Sequence, residues 1–226
     1  MNNTYFITGT DTGIGKTFIT CGLLSFLKSK NLKVVGLKPI SAGVQIFNKQ
    51  KLNEDVFLLK KYSNIELDYK DINYYSFDIP VSPHIVAGLE NHPIDFDFIK
   101  DNIKKIQTKA DIILIEGAGG YEVPVDVDRR ISDLISYIDV PVILVVGVRL
   151  GCLNHTLLTY EAIKAKHNKI FGWIANIIEE DMLCVDENIN YLKENISEPC
   201  LGVVPKILSK IEAINFVDYF DWPGME

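Results

Sequence analysis

The sequence predicts a doubly wound α/β fold with a mostly parallel sheet and helices on both faces. Three observations carry that expectation. Short apolar runs alternate with longer amphipathic stretches along the chain. The runs are apolar throughout, as strands buried on both faces should be. The first run then leads through a glycine-rich turn into a helical pattern, at the position where open α/β sheets bind ligands.

Taken in order, TYFITG (4–9) is the first strand, and GKTFITCGLLSFLKSK (15–30), with apolar residues three and four apart, is the helix that follows. KVVGLK (33–38) is the second strand; Lys38 closes it and Pro39 bars straightforward continuation into a helix. EDVFLLKKYS (54–63) and DFIKDNIKKIQ (97–107) have helical spacing, while FDIPVSPHIVAG (77–88) reads as a structured excursion between elements. DIILIEG (111–117), PVILVVGV (141–148), KIFGWIANII (169–178) and LGVVP (201–205) are strands, with helices at NHTLLTYEAIKAKH (154–167) and ENINYLKENI (187–196). Asp126, Asp128, Arg129 and Arg130 read as a solvated loop. The tail FVDYFDWPGME mixes aromatics with acids, and both the core and a partner are open as its docking site. Without repeats, low-complexity tracts or a Gly/Ser linker, 1–226 is expected to be one domain.

Composition excludes several function classes. The net charge of −7 and only three arginines, Arg129, Arg130 and Arg149, argue against a nucleic-acid footprint, which needs clustered cations. MNNTYFITG lacks the basic and apolar regions of a leader, and no stretch approaches a membrane span, so a soluble cytoplasmic protein with no membrane partner is expected. Cys21, Cys152, Cys184 and Cys200 have no CxxC spacing and are read as reduced thiols. His84, His92, His155 and His167 show no HExxH or similar pairing, so a histidine-based metal hydrolase is unsupported.

The turn FITGTDTGIGKT places five residues between Gly9 and Gly15-Lys16-Thr17, one more than the usual phosphate-binding loop. Its backbone amides and the helix N-terminus could surround phosphate oxygens, with Lys16 reaching the terminal phosphates and the Thr17 hydroxyl on magnesium. This narrows the fold to a P-loop NTPase-like one. Glu116, after four apolar residues at a strand end, is either a turn cap or a magnesium ligand; the small residues Gly117, Ala118, Gly119 and Gly120 beside it favour close approach of a phosphate. Asp55 suits dipole compensation at a helix start or a metal site, and Lys38 either snorkels or points into the crevice.

In sequence order, GTDTGIGKT, GLKPISAG, NEDVFLL, SPHIVA, EGAGG, PVILVVGVRLGCLNH, GWIAN and LGVVP resemble the dethiobiotin synthetase family over nearly the whole chain. That family's loop has the five-residue spacing seen here. The resemblance implies a magnesium- and ATP-dependent cyclo-ligase that joins CO₂ (or bicarbonate) to 7,8-diaminopelargonate as a cyclic urea. Carried across, it implies that Thr12, Gly13, Ile14, Gly15, Lys16, Thr17 and Phe18 hold the ATP phosphates, and that Thr17, Asp55 and Glu116 hold magnesium. Lys16 and Lys38 would surround the reacting carbamate and γ-phosphate. Glu116, Gly117, Ala118 and Gly119 would line the nucleotide and substrate crevice, and Asn176, Ile177, Pro205, Lys206 and Ile207 would receive adenine. Asn176 also suits a strand-end turn. Thr12, Lys38 and Ser41 would meet the diamine, and Leu150, Gly151, Cys152, Leu153 and Asn154 would take its remote carboxylate in a partner subunit's site, implying a homodimer. Locally, the same segment reads as a helix start capped by Asn154.

One departure stands out. The family's hydroxyl after Lys-Pro lies one position later than Ser41, where this chain has Ala42. The reading from another class is a ParA/MinD-like positioning ATPase. Such proteins carry an additional lysine early in the loop, and none lies between Gly9 and Gly15.

Overall fold

The computed structural model describes residues 3–47, 50–207 and 215–225. From the N-terminus it runs β1 (Thr4–Gly9), α1 (Lys16–Ser29), β2 (Val34–Leu37), β3 (Ile40–Ala42), β4 (Gln45–Phe47), β5 (Gln50–Leu52), α2 (Glu54–Tyr62), α3 (Tyr69–Ile72) and β6 (Tyr75–Phe77). It continues with α4 (Pro83–Leu89), α5 (Phe96–Gln107), β7 (Ile112–Glu116), α6 (Ile131–Ile138), β8 (Val142–Val148), α7 (Cys152–Ala165), β9 (Ile170–Ile177), α8 (Val185–Asn195) and β10 (Cys200–Val204). A short 3₁₀ turn covers Val217–Tyr219.

Six strands form one sheet in the order β10-β9-β8-β1-β7-β2, and every pair in it is parallel. All six expected strands lie in this sheet. Burial explains their composition: β1, β2, β7 and β8 are buried at every position, so their residues are apolar apart from Thr4, Thr8, Glu116 and the glycines. The chain moves from β1 towards the β2 edge and later towards the β10 edge. Right-handed crossovers therefore place α1 opposite α5, α6 and α7. Ion pairs and hydrogen bonds knit the latter group: Lys100 Nζ donates to the Tyr137 carbonyl at 2.7 Å, and Lys166 pairs with Asp133.

The two directions of travel diverge at β1, so the crevice beyond its carboxyl end is where a ligand has room. Loop 10–15 and the ends of β7, β8 and β9 all open there. Two small sheets, β3 with β6 in parallel and β4 with β5 antiparallel, project beside it. They, α3, α4 and α6 are additions to the elements expected from sequence. The charged loop before α6 is pinned at Arg129, which stacks over Phe96 at 4.3 Å and donates to the Ile94 carbonyl at 2.8 Å.

The aromatic tail docks on the core. Phe216 and Trp222 are 2% and 3% exposed, and Trp222 meets Tyr5 edge-on and Phe171 at centroid distances of 5.0 and 4.9 Å. No described helix is long and apolar enough to cross a membrane.

Candidate active site

The loop after β1 is held down by Ile14. Its side chain sits 2.6 and 2.5 Å from where Cβ atoms on Gly9 and Gly147 would lie. The loop can rest on the ends of β1 and β8 only because both positions lack a side chain. Gly15 then turns the chain into α1 at φ 82°, and Asn176 at the end of β9 donates from Nδ2 to the Ile14 carbonyl at 2.7 Å. No side chain caps α1. Its first amide groups are therefore available to an anion, and the helix dipole favours one there.

Behind the loop lies a buried charged cluster. Lys38, 6% exposed, donates from Nζ to Glu116 Oε1 at 2.6 Å and also to Asp55. The Thr17 hydroxyl donates to the same Glu116 oxygen at 2.8 Å. Asp55 stands in the first turn of α2, whose N-cap Asn53 accepts from the Asp55 amide and donates to the Ala42 and Gly43 carbonyls, both at 3.1 Å. Asn53 thus fixes the helix start and the loop after β3 together. Burial alone would lower the Lys38 pKa, but the Glu116 and Asp55 carboxylates outweigh it and hold the amine above its ordinary value. For Asp55 burial works upward and Lys38, Thr17 and Lys16 work downward, with a lowered pKa as the result. Lys16 donates to the Asp11 carbonyl at 2.9 Å. Burial lowers its pKa to about 8, against the opposing pull of Glu116.

Two cavities flank the loop. One of about 380 Å³ is lined by Thr12, Lys38, Ser41, Asp55, Ala118 and Gly119, with Pro80, Val81, Ser82 and Pro83 among its other walls. The other, of about 410 Å³, lies against Gly13, Gly15, Phe18, Asn176, Ile177, Pro205, Lys206 and Ile207. Lys206 is tied back, donating to the Ile178 carbonyl at 2.8 Å. Gly117 is bound into the sheet, its amide donating to the Ile7 carbonyl at 3.0 Å.

A family model described as an AAA domain matches residues 3–212. The ATP-dependent dethiobiotin synthetase BioD of Wigglesworthia glossinidia brevipalpis is 41% identical over 220 residues, 97% of each chain. That of Tolumonas auensis is 42% identical over 209 residues, 92% of each chain. The chain belongs to the dethiobiotin synthetase family. Solved structures share the fold of this synthetase-family chain. The MinC:MinD cell division complex of Aquifex aeolicus superimposes with TM-score 0.58 at 16% identity, covering 96% of this chain and 85% of that one. The septum site-determining protein MinD from Pyrococcus horikoshii, complexed with Mg-ADP, gives 0.56 at 19% identity, covering 92% and 82%. At such identities the likeness is one of fold, so the switch-ATPase reading gains nothing from it.

The donor set of this synthetase-family chain fits a divalent cation. Glu116 Oε2 is buried without a hydrogen-bond partner among the described residues, an orphaned acceptor that an oxygen-seeking ion would satisfy. Asp55 and Glu116 are the two carboxylates beside the loop, and one or two carboxylates plus substrate oxygens are what magnesium takes.

Geometry also decides between the local readings. Lys38 does not snorkel and Glu116 caps no turn; both are buried in the cluster. Asn154 is not the helix cap. α7 begins at Cys152 behind Gly151, whose φ of 91° makes the turn, and Asn154 is an exposed residue of the first turn. A glycine that can turn the chain three residues earlier takes the position. Ser41 is 1% exposed, and its hydroxyl donates to Asn73 Oδ1 at 3.1 Å. Leu150 is 88% exposed and Cys152 2%. Asn53 and the Arg149–Asp11 ion pair that braces the loop were missed from sequence. Asn before Glu-Asp is a cap pattern that could have revealed the first; a pair 138 residues apart leaves no local signal.

Proposed function

We propose that this chain makes dethiobiotin from 7,8-diaminopelargonate, CO₂ and ATP, with release of ADP and phosphate. The observation that carries the reading is a buried lysine, Lys38, at the junction of the phosphate loop, two carboxylates and a cavity large enough for a small diamine. An amine nitrogen attacks CO₂ and loses a proton, giving a carbamate. The carbamate oxygen attacks the γ-phosphorus and ADP leaves. The second amine then attacks the carbonyl carbon of the mixed anhydride, loses a proton and expels phosphate, closing the ring. No protein nucleophile is needed; positioning and charge stabilisation are.

Loop 12–18 cradles the phosphates, and Lys16 neutralises the terminal ones. Lys38 faces the carbamate and the transferring phosphoryl group. Thr17, Asp55 and Glu116 would hold magnesium, which supplies charge neutralisation at the phosphates. Adenine occupies the cavity beside Asn176, Ile177 and Pro205–Ile207. The segment Leu150–Asn154 meets the diamine's remote carboxylate in a partner subunit, so the working unit is a homodimer and 1–226 a single domain within it. Exposed Leu150 and Leu158, 88% and 64%, give that face apolar surface to cover.

The test follows carbon. With ¹³C-bicarbonate, ATP, Mg²⁺ and the diamine, mass spectrometry should find a labelled cyclic urea, and Lys38→Ala should slow its formation by about a hundred- to a thousandfold. An unlabelled diamine recovered unchanged from folded, nucleotide-bound protein would reject the reaction.

A further inference from the structure

The strand end that carries Lys38 is wrapped by a short segment with no assigned role. The Lys38 amide donates to the Ile72 carbonyl at 2.9 Å, and the Pro39 carbonyl accepts from the amides of Tyr74 and Tyr75 at 3.0 and 2.8 Å. Between them stands Asn73, at the C-terminal end of α3. Its Nδ2 donates to the Lys38 carbonyl at 2.7 Å and to the Tyr75 carbonyl at 3.2 Å. Its Oδ1 accepts the Ser41 hydroxyl at 3.1 Å. One side chain thus ties Lys38 and Ser41, on the stretch that leads from β2 into β3, to Tyr75 at the start of β6.

We propose that Asn73 is a positioning residue for Lys38, and that Ser41 acts through Asn73 instead of touching the diamine. The network fixes the amide's orientation: two carbonyl oxygens face its nitrogen and a hydroxyl proton faces its oxygen. Ser41 has one proton, and it is committed to Asn73. Pro39 contributes no amide hydrogen to hold the turn, and removing Asn73 would take away the donor that the Lys38 carbonyl has. Half-buried and polar, Asn73 serves here as the anchor that a regular strand would obtain from its neighbour. A displaced Lys38 backbone moves the ammonium relative to Asp55 and Glu116, and misplacements near 1 Å cost up to about a hundredfold in turnover. The catalytic consequence rests on the cyclo-ligase reading; the anchoring does not.

Two readouts separate these. The first is the rate at which acetic anhydride labels Lys38 in the isolated protein, followed by peptide mass spectrometry with Lys16 as internal reference. Asn73→Ala and Asn73→Asp should both raise it severalfold, although Asp keeps the shape, because its second oxygen would face two carbonyl oxygens. Ser41→Ala should raise it less, and Ser41→Thr should restore protection. The second is steady-state kinetics, in which the same variants should lower kcat by roughly tenfold or more and leave KM for the diamine within about twofold, since uniform binding is untouched. Unchanged labelling in Asn73→Asp overturns the anchoring. A Ser41→Ala variant with wild-type kcat and a raised diamine KM assigns Ser41 to the substrate and overturns its part. If Asn73→Ala does not fold, the two Ser41 variants still decide. Wild-type protein that makes no dethiobiotin would reject the reaction while the labelling comparison stands.

Discussion

At Lys16 burial and function pull in different directions. A buried amine with no carboxylate in direct contact is held near pKa 8, yet the cation is what a triphosphate needs. The folded value lies below the ordinary 10.5, so between about 8 and 10.5 the unfolded chain holds more protons than the native one. This group's contribution to stability therefore increases with pH across that window and is least favourable below it. Binding has the opposite trend. Above pH 8, Lys16 should take up a proton when ATP binds, and the affinity for ATP should fall as pH rises, both features disappearing in Lys16→Met. Calorimetry in two buffers of different ionisation enthalpy checks this, and proton uptake equal in wild type and variant would contradict it. Lys16 and Thr17 were legible in the sequence because the loop chemistry is local. Lys38 and Glu116 come together through the neighbouring parallel strands β2 and β7, and Asp55 joins them from the first turn of α2, so each alone had an ordinary structural reading at least as good as its functional one. Asn73 had no signal at all, since its partners are backbone carbonyls and a serine thirty-two positions away.

Among the elements, the phosphate loop is specified most tightly. Gly13 and Gly15 both have positive φ, 74° and 82°, but a Cβ at Gly13 meets nothing within 4 Å, whereas one at Gly15 would lie 2.5 Å from Asn176 Nδ2. Gly13→Ala should cost about 1–2 kcal/mol, the left-handed penalty for a residue with a side chain. Gly15→Ala adds the loss of the Asn176–Ile14 hydrogen bond, roughly another 1 kcal/mol, and should weaken nucleotide binding further. Denaturant melts of both variants check the ordering; equal losses would mean that Asn176 does not grip the loop. Strands were legible because burial on both faces leaves an apolar run, and the long helices because their spacing is regular. The three-residue strands of the two small sheets and the four-residue α3 are too short to show a period. α6 was hidden because its eight residues ISDLISYI follow a charged loop that drew the reading towards solvent. The start of α7 was misplaced because Asn154 looks like a cap and only the backbone reveals Gly151.

For the whole molecule, the tail is what composition could not place. Its alternating acids and aromatics suit a partner as well as a core, and the choice depends on the apolar surface left by Tyr5, Phe26 and Phe171 on the sheet side of α1. Trp222→Ala should destabilise the chain by about 3–5 kcal/mol, as large core truncations do, with nucleotide binding retained in what remains folded. A variant that melts like the wild type would return the tail to a partner. The same sheet that buries the tail aligns β1, β7, β8 and β9 so that loop, carboxylate and Asn176 face one crevice, and the cyclo-ligase reading stands on that alignment. It is tested most directly by measuring phosphate release with ATP, Mg²⁺ and bicarbonate, with and without 7,8-diaminopelargonate, while dethiobiotin is quantified in the same samples. The account predicts release that depends on the diamine and matches dethiobiotin one for one. Release that ignores the diamine, or that responds to it without forming the cyclic urea, would contradict it.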